Sequence, residues 1–288
     1  MTAFFHPGWD MPSGTAPAIS CVIPVFNGTR DLERAAASAL AQRADAQVVL
    51  VDDCSTDGST ELVLELARRE PRIVALALPV NRGQGYARNL GVAAADGQYV
   101  TFLDQDDEHI AGWYDHAVEV LQALPQYVAV RGEIELMEVP AELRIDKADP
   151  RWPAIVNSPI WNVVLRKAAY QAIGGSPTGA AFRTREGNED WVFTETLKLH
   201  FAVAKTACPA TRHYVRPNGA TAYFLRRTRV SATGFEFIER TSGEREGQLA
   251  QALAEFQTRA AENIGVLRRE AARPAGFFSQ LMRRLTGS

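Results

Sequence analysis

The stretch "QYVTFLDQDDEH", residues 98 to 109, runs from the β-prone, mostly apolar residues Tyr99 to Leu103 straight into Asp104, Gln105, Asp106 and Asp107. It reads as a buried strand with three carboxylates at its end. Packing does not account for them, because like charges crowded at a strand end repel one another and cost desolvation energy when covered unpaired. A cation is the natural partner. A hard divalent ion such as Mg2+ or Mn2+ takes one or two carboxylates and completes its shell with water and phosphate oxygens. The alternative is a solvated acidic turn, since aspartate favours loops and helix N-termini.

Outward from that strand, apolar β-rich runs alternate with helical patterns. "AISCVIPVFN" (18–27) is a strand, and Arg30 to Gln42 carries Leu32, Ala36, Ala39 and Leu40 on one helical side. "AQVVLVDDCS" (46–55) is a second strand, and a helix from Ser59 with Leu62 and Leu66 ends before Pro71. "RIVALAL" (72–78), the loop "PVNRGQG" (79–85) and a helix from Tyr86 to Ala95 lead back to the opening strand. This order predicts an α/β fold of right-handed βαβ units with a mostly parallel sheet covered on both faces. Ligands of such sheets gather at the carboxyl ends of the strands. Asn27, the Asp52/Asp53 pair, Asn81 with Arg82, and Asp104 to Asp107 all fall there. Farther on, 127–139 reads as an extended strand, 161–175 as a strand, a short helix and a glycine cap, and 185–200 as a helix opening on Glu189 and Asp190.

A chain of 288 residues with 46% hydrophobic content can bury a large core. Its formal charge of −3 lacks the basic excess of a dedicated nucleic-acid binder. Cys21, Cys54 and Cys208 form no C-x-x-C pair and read as reduced thiols of a cytoplasmic protein. Residues 1–17 lack a basic n-region and a long apolar core, so neither a signal peptide nor an anchor is expected there, and no apolar run reaches membrane-spanning length.

Four stretches in order, "SCVIPVFNGTRDLERAAASALAQ", "VVLVDDCSTDGS", "NRGQGYARNLGVAAADGQYVTFLDQDDEH" and "GNEDWVF", resemble the inverting family 2 glycosyltransferases of GT-A fold. With "HYVRPNGA", the likeness covers roughly residues 18 to 216. It implies a nucleotide-sugar donor, normally a UDP-sugar, and Mn2+ or Mg2+. Asp52 or Asp53 would receive the uracil edge, because a carboxylate accepts the imide N–H, whereas Asp57 suits a helix cap. Pro24, Phe26, Asn27, Asn81, Gly83, Arg88 and Gln105 complete the implied donor site, with Gly83 and Gly85 allowing close backbone approach and Arg88 and Asn89 facing the ligand. The alternative for Arg88 is a helix-surface arginine. "DQDD" matches the DXD motif, so Asp104 would meet the ribose or metal and Asp106 the metal, with Asp107 unassigned. His213 is a further candidate metal ligand and Arg216 a candidate partner of the diphosphate, while His109 reads as a surface or supporting residue. "NEDW" implies Asp190 as general base for the acceptor hydroxyl and Glu189 as a supporting acid, against the plainer reading of two acids in a helix's first turn. Trp191 would pack under the acceptor sugar or in the core.

The Q-x-x-R-W signature of processive synthases is absent, so one sugar is expected per encounter, on a glycan, lipid-linked or protein acceptor of cell-surface glycan or glycoconjugate synthesis. The rivals are a metal-dependent phosphoryl-transfer enzyme and a nucleotide-sugar-binding protein without catalysis. The expected organisation is an N-terminal extension (1–17), a transferase domain (18–234) with a nucleotide-binding half (18–109) and an acceptor half (110–234), and a helical C-terminal extension (235–288). In that extension Leu249, Leu253, Phe256, Ala260 and Leu267 share one helical stripe. The segment from Arg268 to the end carries five arginines (268, 269, 273, 283, 284) against Glu270, with Phe277, Phe278, Leu281, Met282 and Leu285 clustered on one side. Packing on the protein's own core, self-association and peripheral contact with the inner face of a membrane are the alternatives for this tail.

Overall fold

The computed structural model describes residues 18–182, 188–238 and 243–271. The chain runs β1 (Ile19–Val25), α1 (Leu32–Leu40), β2 (Gln47–Asp52), α2 (Ser59–Arg69), β3 (Ile73–Ala77), α3 (Gln84–Ala94) and β4 (Tyr99–Phe102). It continues with β5 (Glu108–His109), α4 (Trp113–Ala123), β6 (Tyr127–Met137), α5 (Trp152–Asn157), β7 (Val163–Arg166) and α6 (Lys167–Ala172). The last elements are α7 (Asn188–His200), β8 (Ala202–Tyr214), α8 (Ala220–Arg227), β9 (Thr228–Ser231), β10 (Gly234–Phe237) and α9 (Gly243–Ala271).

One sheet has the order β3-β2-β1-β4-β7-β6-β8-β5. The first four strands are parallel, as the alternation of strands and helices requires. β7 pairs antiparallel with both β4 and β6, β8 lies parallel to β6, and the short β5 runs antiparallel to β8. Every residue of β1 and β2 is buried, as befits strands covered on both faces. Alternate side chains divide two cores: Ile19, Cys21, Ile23, Val48 and Leu50 pack with α1, α2 and α4, whereas Val22, Val49 and Val51 pack with α3, α6, α7 and α9. α3 approaches the sheet through Gly91, where a Cβ would stand 2.3 Å from a methyl of Val22.

A third core, with Ile134, Ile155, Trp161, Val215 and Leu225, lies under the second half of the chain. Here sequence periodicity signals little. β8 contains Pro209 beside a register shift against β6, so its alternation is broken where pairing is irregular. The hairpin of β9 and β10 spans residues 228 to 237 and so straddles position 234. Of the expected stripe on α9, Phe256 and Ala260 are buried together with Ile264, and Leu249 and Leu253 are partly covered. Leu267 instead remains 40% exposed. The helix thus packs on the protein's own core, and the basic apolar segment from Pro274 onward lies outside the described residues. Among the described residues no helix is long and apolar enough to cross a membrane.

Candidate active site

Two cavities open at the carboxyl ends of the parallel strands. The smaller, about 280 Å3, is lined by Pro24, Val25, Phe26, Asp53, Gln84, Asp104, Gln105 and Asp106. The larger, about 610 Å3, is bordered by Asp190, Trp191, Arg216 and His213 and is walled at its outer end by Phe224, Phe235 and Phe237. Gln84, Asp104 and Asp106 line both.

The small cavity is built by ties between strand ends. The Gln105 side chain accepts from the Phe26 N–H at 2.8 Å and donates to the Phe26 carbonyl at 2.9 Å, linking the β4 loop to the end of β1. Gly28 makes room for it, since a Cβ there would come within 2.3 Å of Gln105 Oε1. Asn27, at a φ of 52°, accepts from the Thr56 N–H through its side chain at 2.8 Å and joins β1 to the loop after β2. Asp53 accepts from the backbone N–H groups of Arg82 at 2.6 Å and Gly83 at 2.7 Å, and the Asn81 amide donates to its carbonyl. Asp53 therefore holds the glycine loop and also faces the cavity. Asp52 accepts from Thr60 Oγ1 at 2.7 Å and does not line it. Asp57 accepts from the N–H of Ser59 at the start of α2 and from Thr29.

Arg88 is fully buried, so it is not a helix-surface arginine. Its guanidinium donates to Oδ1 of Asp190 and, at 3.2 Å, to Oδ1 of Asp104, bridging the acidic loop and α7. Even beside that cation, burial in the cleft pushes the Asp104 carboxyl up to about 7, helped by repulsion from Asp107. Asp106 is also raised, first by burial and then by Asp107, against the pull of His213 and Arg216. Glu189 is raised by burial and by Asp190; its Oε1 accepts from the Gln84 amide, and its Oε2 is buried with no protein partner.

Asp107 has a structural task. Its Oδ2 meets His213 Nδ1 at 2.7 Å and its Oδ1 accepts from the Tyr214 N–H at 2.9 Å, pinning the acidic loop to β8. Burial opposes charge on His213, but Asp107 outweighs it and the imidazole is raised. His213 lines the large cavity together with Asp104 and Asp106, the other candidate metal ligands. Its Nε2 meets Thr221 Oγ1 at 2.9 Å, so both ring nitrogens are engaged, and the ring stacks on Trp161. His109 is buried between Tyr114 and the Trp161 carbonyl, a supporting position. Arg216 reaches Asp106 at 3.3 Å, Asp31 at 2.9 Å and Glu138 at 3.0 Å. Trp191 faces the large cavity rather than the core.

Among the described residues no three or more His, Cys, Asp and Glu side chains are grouped to hold a metal ion. Mg2+ and Mn2+ sites that share a substrate phosphate need fewer protein ligands. Asp104 and Asp106 fit that mode, being oxygen donors driven toward protonation by burial first and by repulsion from Asp107, the conditions a dication relieves.

Residues 20–191 match the sequence pattern described as Glycosyl transferase family 2. The chain belongs to that family. A glycosyltransferase of Nostoc sp. is 36% identical over 138 residues, 48% of this chain and 42% of its own length. The succinoglycan biosynthesis protein ExoO of Rhizobium meliloti is 42% identical over 92 residues, 32% of this chain and 26% of that protein. The matches thus span less than half of these relatives' lengths. Among solved structures, S. aureus TarS 1-349 in complex with UDP-GlcNAc superposes with a TM-score of 0.58 at 20% identity, over 84% of this chain and 72% of that 1-349 chain. The mannosyltransferase PcManGT from Pyrobaculum calidifontis, in complex with GDP-Man and Mn2+, gives 0.57 at 18% identity, over 94% and 80%. At these identities the likeness concerns the fold, which is GT-A.

In this family 2 chain, sequence reasoning missed Gln84 and the role of Asp107. Gln84 lies inside the quoted glycine loop, and its position directly before Gly85 was the available signal. Gly85 is packed so closely on the Pro177 carbonyl that a Cβ there would come within 2.2 Å, which fixes the path of the loop beside Gln84. The partner of Asp107 is 106 residues away, and no local pattern announces it.

Proposed function

We propose that this chain is a non-processive, inverting glycosyltransferase that moves one sugar from a nucleotide sugar, with UDP as the carrier, to a hydroxyl acceptor. The observation that carries the reading is the junction of the two cavities at Asp104, Asp106 and Gln84, with Asp190 on the side of the larger one. The small cavity suits the nucleotide: Pro24, Phe26 and Asp53 surround the base, and Asp53, already committed to two backbone N–H groups, is favoured over Asp52 because it faces the cavity. The large cavity suits an acceptor, with Trp191 and the phenylalanines of β10 as its apolar walls. This assigns residues 18–109 to the donor and 110–234 to the acceptor, with the hairpin to Phe237 joining the acceptor half.

Asp190 is the base. Its Oδ1 is tied to Arg88 and its Oδ2 accepts only a long 3.4 Å bond from the Ile160 N–H, so Oδ2 keeps a lone pair to take the acceptor proton while the hydroxyl attacks the anomeric carbon opposite the diphosphate. Arg216, beside Asp106, brings positive charge to the departing diphosphate. Mn2+ or Mg2+ held by Asp104 and Asp106 would stabilise the charge that builds on that group. The nucleotide complexes of TarS and PcManGT support the donor class, and the succinoglycan relative supports a role in cell-surface glycan synthesis, on a glycan, lipid-linked or protein acceptor.

Calorimetry with UDP tests the donor side. Binding is expected to tighten with Mn2+ and to lose that gain on chelation or in Asp106→Ala. Equal affinity in all three conditions refutes the metal placement. The anomeric configuration of the product, read by NMR, tests inversion, and retention of the donor's configuration refutes it.

A further inference from the structure

The bond broken in glycosyl transfer must lie where the donor cavity opens into the acceptor cavity, so the transferred sugar occupies that junction. Three side chains border both cavities. Asp104 and Asp106 are engaged by the cations Arg88 and Arg216. Gln84 is the neutral third.

Gln84 opens α3 directly after Gly83, whose N–H is held by Asp53, so its backbone is anchored to the donor side. Its side chain reaches the other way, to Oε1 of Glu189, which is itself 3% exposed and fixed in the first turn of α7. The Gln84 Nε2 donates to this oxygen, so the amide NH2 faces Glu189, the orientation that the ionised carboxylate, which only accepts, requires. The side-chain oxygen and the second N–H remain for the junction.

We infer that Gln84 is a specificity-determining residue for the transferred sugar: its Oε1 accepts a hydrogen bond from one hydroxyl of the donor hexose, with Glu189 holding the amide in the orientation that presents that oxygen. Epimers that carry the hydroxyl on the other face cannot make the bond and leave the amide oxygen unpaired. Glu189 is thereby a positioning residue rather than a proton carrier. The inference rests on the reading of the protein as a nucleotide-sugar transferase.

The test uses the full chain with UDP-glucose, UDP-galactose, UDP-N-acetylglucosamine, UDP-N-acetylgalactosamine and GDP-mannose, together with UDP and GDP alone. Kd for the nucleotides and kcat/KM for the sugars are compared in wild type, Gln84→Leu and Glu189→Gln. Gln84 lies on the cavity surface, and a thermal melt verifies folding of each variant. In Gln84→Leu, the nucleotide alone is expected to bind within about twofold of wild type. kcat/KM for the preferred donor falls about ten- to hundredfold and the preference between its epimers collapses. Glu189→Gln, which lets the amide turn over, blurs the same preference by a smaller factor. An unchanged epimer ratio in Gln84→Leu overturns the inference, as does parallel weakening of the nucleotide alone or a wild type indifferent to epimers. If wild type itself binds none of these nucleotides, the donor reading falls and takes this inference with it, an outcome distinct from failure confined to the variants.

Discussion

The two halves of the site are made in different ways. The smaller cavity stands on ends of parallel strands joined by hydrogen bonds between neighbouring strand ends, such as Gln105 to Phe26 and Asp53 to Gly83. The larger cavity draws its walls from α5, α7, α8, the end of β8 and the β9–β10 hairpin, elements that meet only through tertiary packing. The first is a property of the strand pattern and the second of the assembled molecule. Joining them is an ion bridge through the buried Arg88, from Asp104 at the junction to Asp190 in the larger cavity.

That contrast can be broken by substitution. The largest effect is expected on the acceptor side of the bridge: Asp190→Asn should lower turnover by about 10² to 10⁴ while leaving nucleotide affinity intact. Single-turnover kinetics with calorimetry checks both numbers, and loss of nucleotide binding would show that the halves are not separable. Next, Arg88→Met should cost about 3 kcal/mol of folding stability, because two acids in a cleft lose their common cation. Urea denaturation measures this. A change below about 0.5 kcal/mol, the scale of ordinary surface substitutions, would mean that solvent compensates both carboxylates.

His109 sharpens the comparison through pH. Burial first, only partly offset by its bond to the Trp161 carbonyl and by Asp107, lowers the imidazole from 6.5 to about 4. The unfolded chain therefore binds more protons than the folded one between these values, and this group's contribution to stability is complete above pH 6.5 and is lost as pH falls toward 4. The difference corresponds to about 3 kcal/mol. Asp104 acts in the same window with opposite sign, since its raised carboxyl favours the folded state at low pH, but it is common to wild type and variant. Subtracting the stability profiles of wild type and His109→Gln should leave a slope that rises with pH from about 4 to 6.5; a flat difference would show that the buried ring is not held neutral. The smallest effect concerns Trp191, whose replacement by Ala should raise the acceptor KM about tenfold or less with donor KM unchanged. Steady-state kinetics varying each substrate in turn would sink the acceptor assignment if only the donor KM moved.

The same contrast explains what the sequence disclosed. β1 to β4, their helices and the acids at the strand ends were legible because a strand buried on both faces must be an apolar run and the chain that leaves it must turn polar. Arg88 was recognised as a candidate, but its burial was not, since a helical arginine looks alike whether it meets solvent or two carboxylates. α4, β8 and the hairpin escaped notice. Pro209 interrupts the strand pattern, and Phe235 and Phe237 have their reason in Phe224, which belongs to another element. His213 was singled out through the resemblance carried by "HYVRPNGA", whereas its partners in the structure, Asp107 and Thr221, are set by the loop that folds across β8 and left no mark in the sequence.

One feature of the smaller cavity concerns how the sheet itself is built. β1 and β4 pair as far as Val22 and Phe102 and then separate, and the gap between them becomes the cavity. Across that gap the Gln105 amide offers one donor and one acceptor to Phe26, the pair of bonds that a continued neighbouring strand would have supplied. A side chain thus substitutes for a missing rung of the ladder and sets how wide the sheet splits. Because Gly28 yields the space the amide fills, positions 28 and 105 form a single packing unit. A side chain added at one must displace the other, and a redesign seeking a wider cavity should alter the two together.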